Sequence, residues 1–370
     1  MTSWATMPSL AAAAASPTMA SWSNLALYSA MAVYTIAMLL FAGYLAALGP
    51  ASSHEISSAE GAEGAEGGVA TEAQVKELVA VGAAGGDASG EASISATGTP
   101  RSAGPRPSSS GSDDASPRAR RLAGSALSMT WLATALLAAS VILRGLAVMR
   151  APWGNMFEFA NAGALAAAVA YLVLARRNRW QWLGIFVVGP VLLTLGLALL
   201  AFYTEAAELM PALKSVWLVI HVIVAILAVG LFTVAFALGV VYLLKARQEA
   251  RAAAGTAGKR TFLETLPGSA SLERAAYGLN MIGFILWTFT LVAGAIWAQK
   301  AWGSYWTWDP KEVWTFVVWV VYAAYMHARA TAGWEPRKAM WIAIAGFVSI
   351  IINFAVVNVF FVGQHSYSGL

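Results

Sequence analysis

Eight runs of roughly 18 or more predominantly apolar residues divide this chain, at about 25–48, 122–148, 157–175, 182–203, 215–244, 277–299, 311–331 and 338–362. About 20 helical residues cross the hydrocarbon layer of a bilayer, so each run is long enough to span it. The runs are continuous, and their Ala, Leu, Val and Gly content suits helices, which satisfy their own backbone polar groups. A transmembrane β-barrel would show short alternating segments instead. The pattern predicts an all-α polytopic integral membrane protein with about eight transmembrane helices. Composition agrees: 59% of the 370 residues are hydrophobic and 11% charged, against about a quarter charged in a soluble domain.

The polar stretches organise the chain. Residues 1–48 hold an N-terminal segment and the first helix, and 122–370 hold the other seven. Between them, 49–121 is rich in Gly, Ala, Ser and Glu, with a Gly-Ala-Glu-Gly-Ala-Glu-Gly run at 61–67. Such a composition buries too little apolar area to fold, and it predicts a disordered cytoplasmic linker in which His54 is inert. The first 24 residues lack a basic region, which argues against a cleaved signal peptide and for a retained first helix.

Lys and Arg are divided unevenly among the loops, and that asymmetry orients the helices. Arg118, Arg120 and Arg121, then Arg176, Arg177 and Arg179, mark one side. Six more basic residues between Lys245 and Arg274, and Arg329, Arg337 and Lys338, fall on that same side. The alternate loops carry little beyond Arg150, Lys214, Lys300 and Lys311. The basic side is predicted to be cytoplasmic, with both termini and the loop at 300–310 outside the cell membrane. The net charge of +4 is thus loop bias facing a lipid bilayer, and no nucleic-acid partner is implied. Cysteine is absent, so thiol exchange or thiolate ligation by this chain is excluded.

The outer loop carries the densest chemistry. It reads Trp302-Gly303-Ser304-Tyr305-Trp306-Thr307-Trp308-Asp309-Pro310-Lys311-Glu312, with Trp314 beyond it. Three tryptophans and a tyrosine within seven residues form a platform for a large flat apolar ligand. Asp309, Pro310 and Glu312 also have the spacing of a helix start: N-cap, first position and capping-box acid. Two of the four histidines fall on the same side. His221 lies roughly 10 Å inside the mouth of the fifth helix, and His365 follows the eighth. Paired neutral imidazoles can fill both axial positions of a haem iron. His327 lies about 25 Å down the seventh helix from Pro310, near the cytoplasmic side. It reads as an inner ligand needing a partner from elsewhere, or as a packing or snorkelling residue. Glu158, in Pro152-Trp-Gly-Asn-Met-Phe-Glu158 at the mouth of the third helix, reads either as a charge favoured by the helix dipole or as part of a ligand or partner site. Tryptophans elsewhere can be interface belts.

These segments closely resemble the CcsA-type cytochrome c biogenesis proteins (also called ResC, and labelled CcsB in some bacteria), within the haem-handling superfamily marked by a tryptophan-rich "WWD" segment. The match lies in Trp302–Glu312 with Trp314, in Trp217-Leu-Val-Ile-His221, His327-Ala-Arg329 and Gly363-Gln-His-Ser-Tyr367, and in Asn155-Met-Phe-Glu158. It covers about 122–370. The Asp-Pro-Lys-Glu ending favours the CcsA type over the related CcmC type. The resemblance implies haem b held at Trp302, Gly303, Tyr305, Trp306, Trp308, Asp309 and Trp314, with His221 and His365 as external axial ligands. It further implies His327 as a transmembrane ligand, and a separate ResB-type membrane subunit. The implied function is system II cytochrome c biogenesis: a module of a holocytochrome c synthase that presents haem to the reduced CXXCH thiols of apocytochrome c, with a thiol-reducing partner. A bis-histidine electron carrier is the alternative from another class; a transporter of some other amphiphile would leave the outer histidines unexplained.

Overall fold

Helix-forming apolar runs become helices wherever the chain is described. A computed structural model describes residues 16–48, 116–207, 215–256, 261–331 and 333–365. The linker expected at 49–121 lies outside them except for 116–121, and so does His54. Among the described residues there are eight long helices: α1 (Pro17–Leu48), α2 (Pro117–Ala147), α3 (Met156–Asn178), α4 (Gly184–Ala201), α5 (Val216–Ala253), α6 (Ser269–Trp302), α7 (Pro310–Ala330) and α8 (Pro336–Ile351). A π-helical turn, Ile352–Val357, and a last short turn, Asn358–Phe360, continue α8. Seven of these segments are long and apolar enough to cross a membrane by composition alone. The eighth, α7, carries Lys311 and Glu312 at one end and His327 and Arg329 at the other. Its 21 residues still reach about 30 Å, the thickness of the hydrocarbon layer. The protein is a multi-pass membrane protein.

Small residues set the packing. α1 buries Leu27, Ala30, Tyr34, Ala37 and Phe41, a three-and-four spacing that lays one stripe on α2. α2 answers with Ala119, Ala123, Ala126 and Ala133, which let the backbones approach closely without a hydrophobic driving force in lipid. Tyr34 Oη and Thr134 Oγ1 sit 2.9 Å apart across this pair. α3 and α5 meet at Gly230, where an added Cβ would come within 2.9 Å of the Ala166 backbone. α5 and α6 pair along most of their length, α7 pairs with α8, and α6 meets α7 only sparsely.

Polar groups tie the loops at both ends. At one end Glu158 is 2% exposed and takes hydrogen bonds from Arg144 Nε (3.1 Å), Arg150 Nη1 (2.7 Å) and the Gly154 N–H (2.8 Å). The same arginines reach the α4–α5 connection, Arg144 at the Thr204 carbonyl and Arg150 at the Ala207 carbonyl. This cluster locks the α2–α3 loop to its neighbour. At the opposite end Lys245 donates to the Leu263 carbonyl at 2.7 Å, and Arg329 pairs with Glu273 at 2.5 Å. Removing one partner of a buried pair leaves the other charge uncompensated, at a cost of about 3–5 kcal/mol. Glu158→Gln is therefore expected to lower unfolding stability by roughly that amount, read by thermal or denaturant unfolding in detergent. An unchanged midpoint would show that the cluster carries no such constraint.

Candidate functional site

The bundle end bearing the α6–α7 loop brings His221 and His365 to one cleft. This cleft, about 860 Å³, is walled by residues of α5, α6, α7 and the end of α8. A second cleft of about 780 Å³ reaches toward the α2–α3 loop and shares His221, His365, Trp297, Lys311, Phe159 and Phe354 with the first.

Each histidine is held by one ring nitrogen. Nδ1 of His221 lies 2.9 Å from the Thr290 carbonyl of α6. A carbonyl only accepts, so Nδ1 carries the proton and Nε2 keeps its lone pair. The ring fits there because position 294 is glycine: a Cβ would come within 2.8 Å of His221 Cε1. Nδ1 of His365 lies 2.8 Å from Asp309 Oδ2, and the carboxylate fixes the same tautomer. Neither Nε2 has a hydrogen-bond partner among the described residues. Orientation of a ligating imidazole through its other nitrogen is how metal sites hold their histidines. Trp297, 2% exposed, packs against both rings: stacked at 6.3 Å and 17° on His221, and edge-on at 5.7 Å to His365. Trp302 backs His365 at 4.8 Å. Two imidazole lone pairs beside aromatic and aliphatic walls are a donor type that can hold a metal ion, a haem iron included.

The loop is built by two carboxylates. Asp309 caps α7 through the Lys311 N–H (3.0 Å) and also accepts from the Gln364 N–H (2.6 Å), which docks the chain after α8 against the loop. Glu312 completes the capping box. Its Oε2 accepts from the N–H groups of Thr307 (2.8 Å) and Asp309 (3.2 Å), on either side of Trp308. Trp308 is thereby held at φ +60°, a left-handed conformation that costs a bulky residue about 1–3 kcal/mol. Its ring stands 75% exposed at the rim, edge-on to Trp306 at 5.8 Å.

The residues expected from sequence divide by position. His221, His365, Tyr305 and Trp306 line the first cleft, and Trp302 and Asp309 contact His365. Gly303 ends α6 at φ +77°, its N–H on the Gln299 carbonyl at 3.0 Å. Trp314 is half-buried on α7 and is not among the lining residues, and Glu158 belongs to the arginine cluster instead. His327 is exposed in the last turn of α7, with Thr331 Oγ1 3.5 Å from its Nε2. Sequence patterns did not single out Trp297, Thr290, Phe354 or Asn353. A tryptophan such as Trp297, near a helix end, reads as an interface belt until its packing is known.

Comparison with known proteins agrees with this geometry. A family model described as cytochrome c assembly protein matches residues 153–365. The cytochrome c biogenesis protein CcsA of Parasynechococcus marenigrum is 33% identical over 260 residues, covering 64% of this chain and 84% of that protein. Its counterpart in Prochlorococcus marinus is 33% identical over 259 residues, covering 64% and 81%. That of Gloeothece citriformis is 32% identical over 259 residues, covering 58% and 79%.

Burial alone would raise the Asp309 carboxyl. The hydrogen bond and charge of His365, with the Gln364 and Lys311 N–H groups, outweigh it and hold the group below its ordinary 3.8. A depressed carboxyl contributes stability above its unfolded value and loses it as pH falls through the folded value. Protection of the Gln364 amide from hydrogen exchange is therefore expected to persist from neutral pH to about pH 4 and to fade below it. Asp309→Ala should abolish that protection at every pH and cost about 1–2 kcal/mol through the lost cap. Full protection in Asp309→Ala would disprove the tether.

Proposed function

This chain belongs to the cytochrome c assembly protein family and serves cytochrome c biogenesis; on that premise we propose that its loop-end cleft holds haem b on the extracytoplasmic side of the cell membrane and presents it to apocytochrome c. The observation that carries the proposal is the pair of histidines that line the same clefts with both Nδ1 atoms bound and neither Nε2 partnered among the described residues. The site fits the group in donor type and aromatic lining. Haem supplies the two vinyl groups to which the thiols of a CXXCH segment add.

The chain's own contribution is positioning and shelter. His221, fixed on a long helix between Thr290 and Trp297, is the permanent ligand. His365 sits past the end of α8 and depends on one carboxylate, so it is the ligand a substrate histidine displaces. Tyr305 and Trp306 wall the macrocycle, and Trp308 meets whatever approaches the rim. No general acid, base or nucleophile is required of this chain. The excess of Lys and Arg on the other side supports a cytoplasmic assignment there, which leaves both termini and the loop outside. His327, exposed on α7 far from the cleft, supports a second haem position completed by a ResB-type subunit. Because the chain has no cysteine, a separate thiol-reducing partner keeps the substrate reduced. The function is thus that of a system II holocytochrome c synthase module.

The purified protein is expected to show the absorption spectrum of a haem with two axial nitrogens. His221→Ala and His365→Ala should each weaken haem retention tenfold or more, on the order of what disturbing a metal site's ligand shell costs. If both variants retain haem like the parent, the ligand assignment is wrong. Deleting the gene should remove covalent haem staining from all c-type cytochromes while b-type haem proteins persist. Loss of a single respiratory activity alone would favour the electron-carrier reading.

A further inference from the structure

The cleft contains a cation and a buried acceptor that the two-histidine reading does not use. Lys311 lines both clefts, and its Nζ donates to the Asn353 carbonyl at 2.8 Å. That leaves two of its three N–H donors available. No carboxylate among the described residues forms an ion pair with it. Asp309 is engaged by His365, Gln364 and the Lys311 backbone, and Glu312 Oε2 is engaged by the loop. An ammonium among apolar walls carries a desolvation penalty of several kcal/mol unless an anion faces it. Asn353 lies beside it on the π-helical turn that follows α8. It is 4% exposed, its Nδ2 donates to Thr315 Oγ1 at 3.3 Å, and its Oδ1 has no partner. An orphaned buried acceptor calls for a donor, which a bound water or a free N–H of Lys311 supplies and a carboxylate does not. The rest of the lining is chiefly apolar or aromatic, with Ala225, Val229, Leu291, Ile350 and Phe354 among it.

We propose that Lys311, held by the Asn353 carbonyl, is the carboxylate-binding end of the cleft and pairs with a propionate of the haem; this rests on the haem reading above. Two axial imidazoles fix the macrocycle's plane but allow it to turn about the axis through them. A cation at one side removes that freedom, because only the propionate edge is anionic. Lys311 is therefore a positioning residue that sets which edge of the ring turns toward the substrate.

The test compares haem with its dimethyl ester, in which both carboxylates are blocked and the iron and ring are unchanged. Each is titrated into the purified full-length protein and followed by Soret absorbance. The parent protein is expected to bind haem roughly 10–100-fold more tightly than the ester, the worth of a charge-assisted hydrogen bond. Lys311→Met should bring the two affinities to within about threefold, the residue of a site without that bond, while the two-imidazole spectrum persists. Lys311→Arg should keep the preference. Equal binding of haem and ester by the parent overturns the inference while leaving the haem site intact, as does a preference undiminished in Lys311→Met. Failure of the parent to bind haem at all removes the haem reading and this inference with it.

Discussion

A single carboxylate holds this site together. Asp309 accepts three hydrogen bonds, from the Lys311 N–H that begins α7, from the Gln364 N–H beyond α8 and from Nδ1 of His365. Helix start, chain docking and histidine tautomer thus depend on the same two oxygens. A further link between the loop and this segment, from Thr307 Oγ1 to Gln364 Oε1 at 2.9 Å, is between exposed side chains and is the weaker tether. The Glu312 clamp across Trp308 begins at the Asp309 N–H, so the strained turn at the rim rests on the same residue.

The contrast between the two ends of the bundle explains where function sits. At the end with Lys245 and Arg329, charges are matched by Glu249, Glu273 and local carbonyls. The Glu158 cluster is matched in the same way, by two arginines and a backbone N–H. The cleft differs: among the described residues neither histidine Nε2 nor Asn353 Oδ1 has a hydrogen-bond partner, and Lys311 Nζ donates to a backbone carbonyl with no carboxylate paired to it. In an apolar setting such groups are costly unless something binds them. The haem proposed above would answer the imidazoles through its iron and the ammonium through its acidic edge.

Much of this was legible in the sequence, for identifiable reasons. The eight apolar runs became the eight helices because length and hydrophobicity decide what crosses a bilayer. Helix ends departed most where polar residues extend a helix beyond the hydrocarbon: α5 continues to Ala253 through Lys245-Ala-Arg-Gln-Glu, all good helix formers that hydropathy does not register. Asp309-Pro310 with Glu312 reads as a helix start because capping is local chemistry, and it forms one. The meeting of His221 with His365 followed from helix parity. What escaped were contacts set by helix rotation: Trp297 against both histidines, Thr290 behind His221, and Asn353 on a π-helical turn that no apolar periodicity announces. Glu158 left two readings open because its partners, Arg144 and Arg150, lie across a loop rather than at helical spacing.

The central claim is that one iron lies between two nitrogens set by Thr290 and Asp309. A cryo-EM structure of the purified, haem-loaded protein tests this most directly. The account predicts macrocycle density in the cleft beside Trp297, with Nε2 of both His221 and His365 on the iron. Density elsewhere on the bundle, or iron ligated there by any other side chain of this chain, would contradict it.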